Sequence, residues 1–257
     1  MQIYKFRDLT IIKKESHKEE MVIACDSCCG IGEREDDFVN ASNEIVGYFS
    51  ARVCLFELIA FKANPLVIVN NLGMTMKCGG ESIIKGINRA IKEYNSEGFF
   101  ENNFKLEECI TGSTEDNFKT LQTFLGLTII GEKKISTEIS FESEDEVFLL
   151  GIPKVGEEVL DDINNNIGEI AGFKELKLLV ESESVKDIIP IGSKGIIHEA
   201  KELEGSNNIK INLSYNGTYL RKSAGPATAI LFICKKDSLE EFKNKISVPI
   251  IKIGEII

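Results

Sequence analysis

Long hydrophobic runs are missing from this sequence of 257 residues. The apolar stretch at residues 66–69 is far shorter than the roughly 20 apolar residues that a helix needs to span a bilayer. The N-terminal residues MQIYKFRDLT are charged and alternating, without the continuous apolar core of a secretory signal. The sequence therefore predicts a protein of the cytoplasm that has no membrane partner.

Positive charge and histidine are also scarce. Thirty Lys and Arg residues stand against 41 Asp and Glu residues, and the net charge of -11 disfavours nucleic acid as a partner. The only histidines, His17 and His198, form no ligand-spaced pair, and the cluster of Cys25, Cys28 and Cys29 has no second ligand pair for structural zinc. The seven cysteines are an odd number scattered over a long chain, so we expect reduced thiols.

The pattern of apolar residues predicts two domains of α/β (α+β) class. Low apolar content and sustained negative charge at residues 142–146 mark the boundary, so the predicted domains are 1–142 and 143–257. Alternating strand and helix patterns predict a sheet with helices on one face in each domain. The predicted strands are 2–12, 21–25, 66–72, 108–110, 125–130, 148–152, 176–180, 209–213, 228–234 and 248–253; the predicted helices are 42–62, 81–94, 157–170, 194–203 and 238–245.

Several carboxylates lie at the ends of apolar elements: Asp8, Asp26, Glu57, Glu115 and Asp116. Glu57 interrupts the apolar face of the helix predicted at 42–62, where a carboxylate needs a partner or a metal ion unless it lies beside the core stripe. Asp26 follows an apolar strand and precedes a glycine-containing turn. Acids at such positions bind ions, although they are also ordinary turn formers.

Two glycine-containing loops are candidate phosphate sites. The first, in the segment TGSTEDN, combines hydroxyl groups, a glycine and carboxylates, which suits a metal and a phosphate as well as it suits a polar hairpin loop. Its first four residues are Thr111, Gly112, Ser113 and Thr114. The second opens a predicted helix, where amide groups and a lysine suit an anion; it contains Gly192, Ser193, Lys194 and Gly195. Neither matches the P-loop or the G-x-G-x-x-G spacing, which disfavours the common nucleotide-binding folds.

Taken in order, the motifs of the N-terminal half resemble the AIR synthase-related (PurM-like) superfamily. FRDLTII is similar to its G-D-D-A-A-V strand, with Asp8 as the second acid, and VIACDSCCGIG is similar to its next strand, which ends in an aspartate at Asp26. FELIAFKANP is similar to the helix motif N-D or S-D followed by A-x-P, with Glu57 in place of the aspartate and Lys62 in place of glycine.

The resemblance continues through the rest of the chain. TGST is similar to the family's G-G-[DE]-T loop, with Ser113 in place of the acid. IGSKGI is similar to its D-x-[ST]-x-G-L segment, and SAGPATAILF is similar to its final glycine-rich strand. Thiamine-monophosphate kinases have acids where this chain has Lys194, Ala227 and Thr228. The combined motifs look like the branch assigned as α-ribazole kinases of cobalamin salvage, which phosphorylate the 5′-hydroxyl of α-ribazole.

The resemblance implies a magnesium-dependent ATP phosphotransferase that acts on a small nucleoside. Its implied metal ligands are Asp8, Asp26, Glu57, Glu115 and Asp116, and Asp116 is the first candidate for a general base. Residues 111–114 would line the ATP pocket, and Lys194 with the amides of Gly192, Ser193 and Gly195 would stabilise the transferring phosphoryl group. Other acceptors, namely thiamine phosphate or a purine-pathway ribonucleotide, and a non-catalytic nucleotide-binding protein remain alternatives.

The superfamily fold also implies a homodimer. The N-terminal sheets of two chains would close a β-barrel with ATP bound near the interface, while the C-terminal domain would be an α/β sandwich. Closing a barrel between two chains removes edge strands that each sheet otherwise exposes.

Overall fold

The computed structural model describes residues 1–14, 18–99, 109–134 and 139–257. The chain divides into two units, Met1–Ile135 and Ser136–Ile257, each with its own main sheet. The division lies a few residues before the acidic stretch 142–146 where we expected it. That stretch is part of the second unit, because the carboxylate of Asp145 is buried, accepts a hydrogen bond from the amide of Glu142 at 2.7 Å and pairs with Lys186 at 2.7 Å.

The first unit consists of a six-stranded sheet, two long helices and a small extra strand pair. Its elements are β1 (Gln2–Phe6), β2 (Leu9–Lys13), β3 (Glu19–Cys29), β4 (Ile31–Gly32), β5 (Val39–Asn40), α1 (Asn43–Ala60), β6 (Asn64–Leu72), α2 (Gly80–Glu97), β7 (Ile110–Thr114) and β8 (Phe124–Lys134). The order in the main sheet is β1-β2-β3-β8-β6-β7. Among the described residues, neighbouring strands of this sheet are antiparallel except for β6 and β7, which are parallel.

One face of this sheet is covered by helix and the other is open. On β3, Val22 and Ala24 are buried under α1, while Met21 and Cys25 point the other way and are exposed. The same alternation on β8 buries Leu127 and its neighbours two residues away on either side. The sheet therefore has an inner face, where buried polar residues can be held, and an outer face that contains exposed apolar side chains.

The two helices of the first unit cross at glycine. A Cβ atom on Gly47 of α1 would overlap the carbonyl oxygen of Ile83 on α2, and one on Gly86 would overlap the carbonyl oxygen of Glu44. Helix α1 begins at Ser42, whose hydroxyl accepts a hydrogen bond from the amide of Ile45 at 3.3 Å. The close crossing fixes α1 over the inner face of the sheet.

The second unit has a five-stranded antiparallel sheet with helices. Its elements are β9 (Glu146–Leu150), α3 (Glu157–Asn165), α4 (Phe173–Glu181), β10 (Val185–Pro190), α5 (Ile196–Asn207), β11 (Ile211–Leu213), β12 (Ile230–Cys234), α6 (Glu240–Lys243) and β13 (Ile250–Ile256). The strand order is β10-β12-β9-β13-β11. Leu149 and Leu231 of the sheet belong to one buried cluster with Ile196, Ala200 and Leu203 of α5.

Several sequence-based boundaries were wrong. Residues 176–180 belong to α4, not to a strand, because Phe173, Leu176 and Leu179 are buried at helical spacing. The helix predicted at 157–170 ends at Asn165, since Asn166 adopts a left-handed conformation with φ 51°. The single strand predicted at 2–12 is the hairpin of β1 and β2. The mixed α/β class itself is confirmed, and none of the described helices has the length and apolarity of a membrane span.

Candidate functional site

Asp26 lies inside β3 rather than after a strand, because the strand continues to Cys29. The strand register places Asp26, Leu127 of β8, Asn70 of β6 and Gly112 of β7 in one row across the sheet. Residues in one row share a face of the sheet. Since Leu127 and Asn70 are buried, this is the inner face, and the carboxylate of Asp26 points toward α1.

Helix α1 presents a polar stripe to this row. Ser50, Cys54 and Glu57 are spaced by four and three residues and therefore lie on one side of the helix. The hydroxyl of the buried Ser50 donates a hydrogen bond to the Asp26 carboxylate. The buried Sγ of Cys54 lies 3.8 Å from the carbonyl oxygen of Leu127, the cross-strand partner of Asp26.

The charges of Asp26 and Glu57 both act on the buried thiol of Cys54. Burial is the main cause that raises the pKa of Cys54 far above its ordinary value, and the charges of Asp26, Cys25 and the half-buried Glu57 raise it further. These two acids lie on different elements and are 31 positions apart in the sequence.

The surroundings of Asp26 are acidic. Burial raises the pKa of Asp26, and hydrogen bonds from the amide of Ser27 and the hydroxyl of Ser50 only partly oppose that effect. Burial also raises the pKa of Cys28 to about 12, with further contributions from Asp26, Cys29 and Asp37. This corner of the inner face therefore concentrates acidic groups where they are partly buried, and a bound cation would favour their charged forms.

The segment Thr111, Gly112, Ser113 and Thr114 is an edge strand and not the polar turn that we expected. It forms β7 with Ile110, and a Cβ atom on Gly112 would overlap the backbone oxygen of Asn70. Glycine is required here by the close approach of the neighbouring strand, so a phosphate loop is not needed to explain it. The predicted strand residue Glu108 lies outside the described residues.

Glu115 and Asp116 follow β7 at the end of the sheet. The amide of Glu115 donates to the carbonyl oxygen of Leu72 at 2.9 Å, and its carboxylate accepts from the amide of Asn117 at 2.7 Å and from that of Phe118 at 3.1 Å. The hydroxyl of Thr114 donates to Asp116 at 3.1 Å. Both carboxylates therefore stabilise the turn, and Asp116 is exposed four residues after Gly112, the β7 residue of the row that contains Asp26.

Asp8 is exposed in the tight turn between β1 and β2, directly before β2, which is the neighbour of β3 in the sheet. Within residues 1–14, 18–99, 109–134 and 139–257, no three His, Cys, Asp or Glu side chains are grouped as metal ligands. The expected single cluster of all the predicted acids is therefore not formed by the described residues.

A pair of carboxylates is nevertheless sufficient for magnesium. Mg²⁺ commonly binds one or two protein carboxylates and completes its octahedral shell with phosphate and water oxygens. Asp26 and Glu57 fit this requirement because both are carboxylate oxygen donors that lie near Cys54 at the inner face of the sheet. Glu115 and Asp116 offer further oxygen donors at the end of the sheet.

The loop before α5, in the second unit, retains only part of the expected anion site. The amide of Gly192 donates to the buried carboxylate of Glu199 at 3.2 Å, and the amide of Gly195 donates to the carbonyl of Gly192 at 3.3 Å. Ser193 and Lys194 are exposed, and their amides donate to no acceptor among the described residues. In this structure the amides of Ser193 and Lys194 are therefore the ones open to an anion, while the phosphate contacts of Gly192 and Gly195 stay predictions.

Sequence reasoning missed two polar residues of the inner face, Ser50 and Asn70. Ser50 is 4% exposed and Asn70 5% exposed, and the Asn70 side chain donates to the carbonyl oxygen of Thr111 at 3.0 Å. Both interrupt otherwise apolar inward-facing positions, which is the signal that identifies them. That signal required knowing which face each element buries.

No protein-family model matches the chain, and no curated protein sequence matches it. Solved structures do match. Thiamine monophosphate kinase from Aquifex aeolicus is 15% identical with a TM-score of 0.60, and the match covers 98% of this chain and 89% of that chain. A structure of AaThiL complexed with AMPPCP and TMP is 15% identical with a TM-score of 0.61, covering 97% and 84%.

A third structure is related over only part of its length. Thermotoga maritima PurL complexed with ATP is 11% identical with a TM-score of 0.52, and the match covers 97% of this chain but 37% of PurL. At such identities the likeness shows the fold alone. The chain shares the AIR synthase-related (PurM-like) fold of these proteins, which confirms the fold that the motifs indicated.

Proposed function

We propose that the chain is a magnesium-dependent ATP phosphotransferase. The observation that carries the proposal is that Asp26 on β3 and Glu57 on α1 both lie near the buried thiol of Cys54 and raise its pKa. The shared fold supports it, because structures with that fold hold ATP or its analogue AMPPCP. Phosphoryl transfer needs positioning and charge stabilisation more than covalent chemistry, and paired carboxylates suit that task.

The proposed roles follow the positions of the residues. Asp26 and Glu57 would hold Mg²⁺, which when bound neutralises phosphate charge; Asp8, Glu115 and Asp116 remain candidate further ligands. Asp116 is the proposed general base because it is exposed at the end of the sheet. In the second unit, Lys194 and the neighbouring amides are the proposed contacts of the transferring phosphoryl group.

The proposed acceptor is the 5′-hydroxyl of α-ribazole. The motifs RDLT, IACDSCCGIG, TGSTEDN, GSKGI and SAGPATAIL support it, because together they look like that branch of the superfamily. Thiamine phosphate is the second candidate, and the structural likeness to thiamine monophosphate kinase favours it. α-Ribazole is favoured over thiamine phosphate by three positions where acids of the thiamine monophosphate kinase family are replaced, namely Lys194, Ala227 and Thr228.

We also propose a homodimer closed through the outer face of the first sheet. Ile3 is 59% exposed and Met21 is 42% exposed on that face. Cys25 is exposed on the same face of β3. Burying such apolar surface against a second copy is favourable, and the pairing would cover edge strands. We place this dimer in the cytoplasm, where the seven free thiols would stay reduced.

An assay of ADP release with purified protein tests the proposed function. We expect release in the presence of Mg²⁺ and α-ribazole, and less with thiamine phosphate or other nucleosides. Asp26→Asn and Glu57→Gln should each abolish most of it while the protein stays folded, since a lost metal ligand removes charge stabilisation from the transition state. ATP binding without release for any acceptor would favour the non-catalytic alternative.

A further inference from the structure

Ser50 is a buried hydroxyl to which the proposed function assigns no role. It is 4% exposed on α1, and it faces β3 in the same stripe as Cys54 and Glu57. Its hydroxyl donates to the carboxylate of Asp26, which also accepts a hydrogen bond from the amide of Ser27. A serine hydroxyl in the interior of a helix more often bonds to the helix backbone, so a bond to another element is informative.

The contacts of α1 fix the position of this hydroxyl relative to β3. One turn after Ser50, the Sγ of Cys54 contacts the carbonyl oxygen of Leu127 at 3.8 Å. Leu127 is the cross-strand partner of Asp26. Two consecutive turns of α1 therefore contact the same row of the sheet, and Ser50 cannot shift along β3 without moving the helix.

The Asp26 carboxylate requires such a restraint. The terminal torsion of an aspartate is broad, so the side chain alone does not fix the direction of its oxygens. A carboxylate has about four lone-pair sites, and the bonds from Ser27 and Ser50 use two of them. The remaining sites then have a defined direction, and Glu57 lies on the same stripe as Ser50, two turns further along.

We propose that Ser50 is a positioning residue, whose hydroxyl orients the Asp26 carboxylate so that Asp26 and Glu57 bind one divalent cation. The inference rests on the proposed function and adds a residue to it. Carboxylates that bind metals are generally held by a hydrogen-bond partner of their own, and loss of that partner typically weakens metal binding by roughly 10–100-fold. Ser50 itself touches neither the cation nor the nucleotide.

Binding of Mn²⁺ to the full-length protein, followed by the electron paramagnetic resonance signal of the free ion, tests the proposal without an activity measurement. Ser50→Ala should weaken Mn²⁺ binding by about 10-fold, whereas Ser50→Thr, which keeps the hydroxyl, should retain most of the affinity. Ser96→Ala is the matched control. It removes a hydroxyl that donates to the carbonyl oxygen of Glu93, at 2.7 Å within α2, and should leave binding unchanged.

A double-mutant cycle separates positioning from a general effect on the fold. In the Asp26→Asn background, Ser50→Ala should cause no further loss of Mn²⁺ affinity, because the carboxylate that it orients is gone. An equal loss in both backgrounds would overturn the proposal. Urea unfolding of each variant shows whether the protein is folded during the measurement.

The failure of this inference is distinguishable from failure of the proposed function. Normal Mn²⁺ binding by Ser50→Ala, with weak binding by Asp26→Asn, would remove Ser50 from the site and leave the metal site standing. Normal binding by Asp26→Asn would remove the metal site itself, and with it both the positioning role and the proposed function.

Discussion

Asp26 is the residue on which the account depends most. It is a half-buried carboxylate whose pKa is raised by burial, despite the hydrogen bonds that it accepts from Ser27 and Ser50. An acid with a raised pKa binds protons more readily in the folded protein than in the unfolded chain. The free energy of unfolding therefore falls as the carboxyl group ionises. The fall begins near the ordinary pKa of 3.8 and continues until the pH has passed the raised pKa of the folded state.

The first prediction concerns this pH dependence. Without metal, the free energy of unfolding of the wild type should fall across that pH range by more than that of Asp26→Asn, which has no charge to gain at this position. Urea unfolding at a series of pH values measures the difference. Adding Mn²⁺ or Mg²⁺ at neutral pH should stabilise the wild type and not the variant. Identical pH curves would mean that the carboxylate of Asp26 is adequately solvated.

The second prediction concerns thiol reactivity. Burial raises the pKa of Cys28 to about 12 and that of Cys54 far above its ordinary value, so both thiols hold little thiolate at neutral pH. Cys78 is exposed and serves as the internal comparison. Alkylation of the native protein followed by peptide mass spectrometry should label Cys78 before Cys28 and leave Cys54 unmodified. Early labelling of Cys54 would show that the inner face is open to solvent.

The packing of helices and strands explains both the accuracy and the errors of sequence reasoning. Helix α1 was placed almost correctly because Ser42 caps it and the apolar spacing continues to its end. The α4 segment was misread as a strand, since a short apolar run has the same appearance in a strand and in a buried helix. The polar segment that forms β7 gave no strand signal, because β7 is an exposed edge that pairs with β6 through its backbone.

The crossing of α1 and α2 yields the third prediction. Gly86→Ala would place a methyl group on the backbone of α1 at Glu44, and overpacking of this kind typically costs about 1–3 kcal/mol. Gly205→Ala in α5 is the control, because no atom beyond the adjacent residues and the backbone of its own helix lies within 4 Å of the added carbon. Urea unfolding should show a loss of stability for Gly86→Ala alone. Equal stability of the two variants would indicate that the helices do not approach so closely.

At the scale of the whole molecule, the sequence predicted the class and the fold but not how the acids assemble. The motifs singled out Asp26 and Glu57, but they did not indicate that Ser50 and Cys54 of α1 would contact the row of the sheet that contains Asp26. The register of β3, β8, β6 and β7 decides which polar residues share the inner face. Register depends on pairing between distant segments, so local patterns cannot supply it.

The fourth prediction concerns the proposed homodimer. Met21→Glu would place a charge on the exposed outer face of β3, where a second sheet would otherwise bury apolar surface. Light scattering coupled to size-exclusion chromatography should show a dimer for the wild type and a monomer for Met21→Glu. Lys92→Glu, on an exposed position of α2, should leave the dimer intact. A wild-type chain that is monomeric at all concentrations would contradict the barrel.

The most direct test of the central claim is the Mg²⁺ dependence of ATP binding, measured by isothermal titration calorimetry. We predict that the wild type binds ATP more tightly with Mg²⁺ than without it, and that Asp26→Asn and Glu57→Gln each lose this gain. Glu44→Gln, which changes a carboxylate paired with Lys85 at 2.6 Å, should keep it. An undiminished gain in both Asp26→Asn and Glu57→Gln would show that these carboxylates do not hold a cation against ATP.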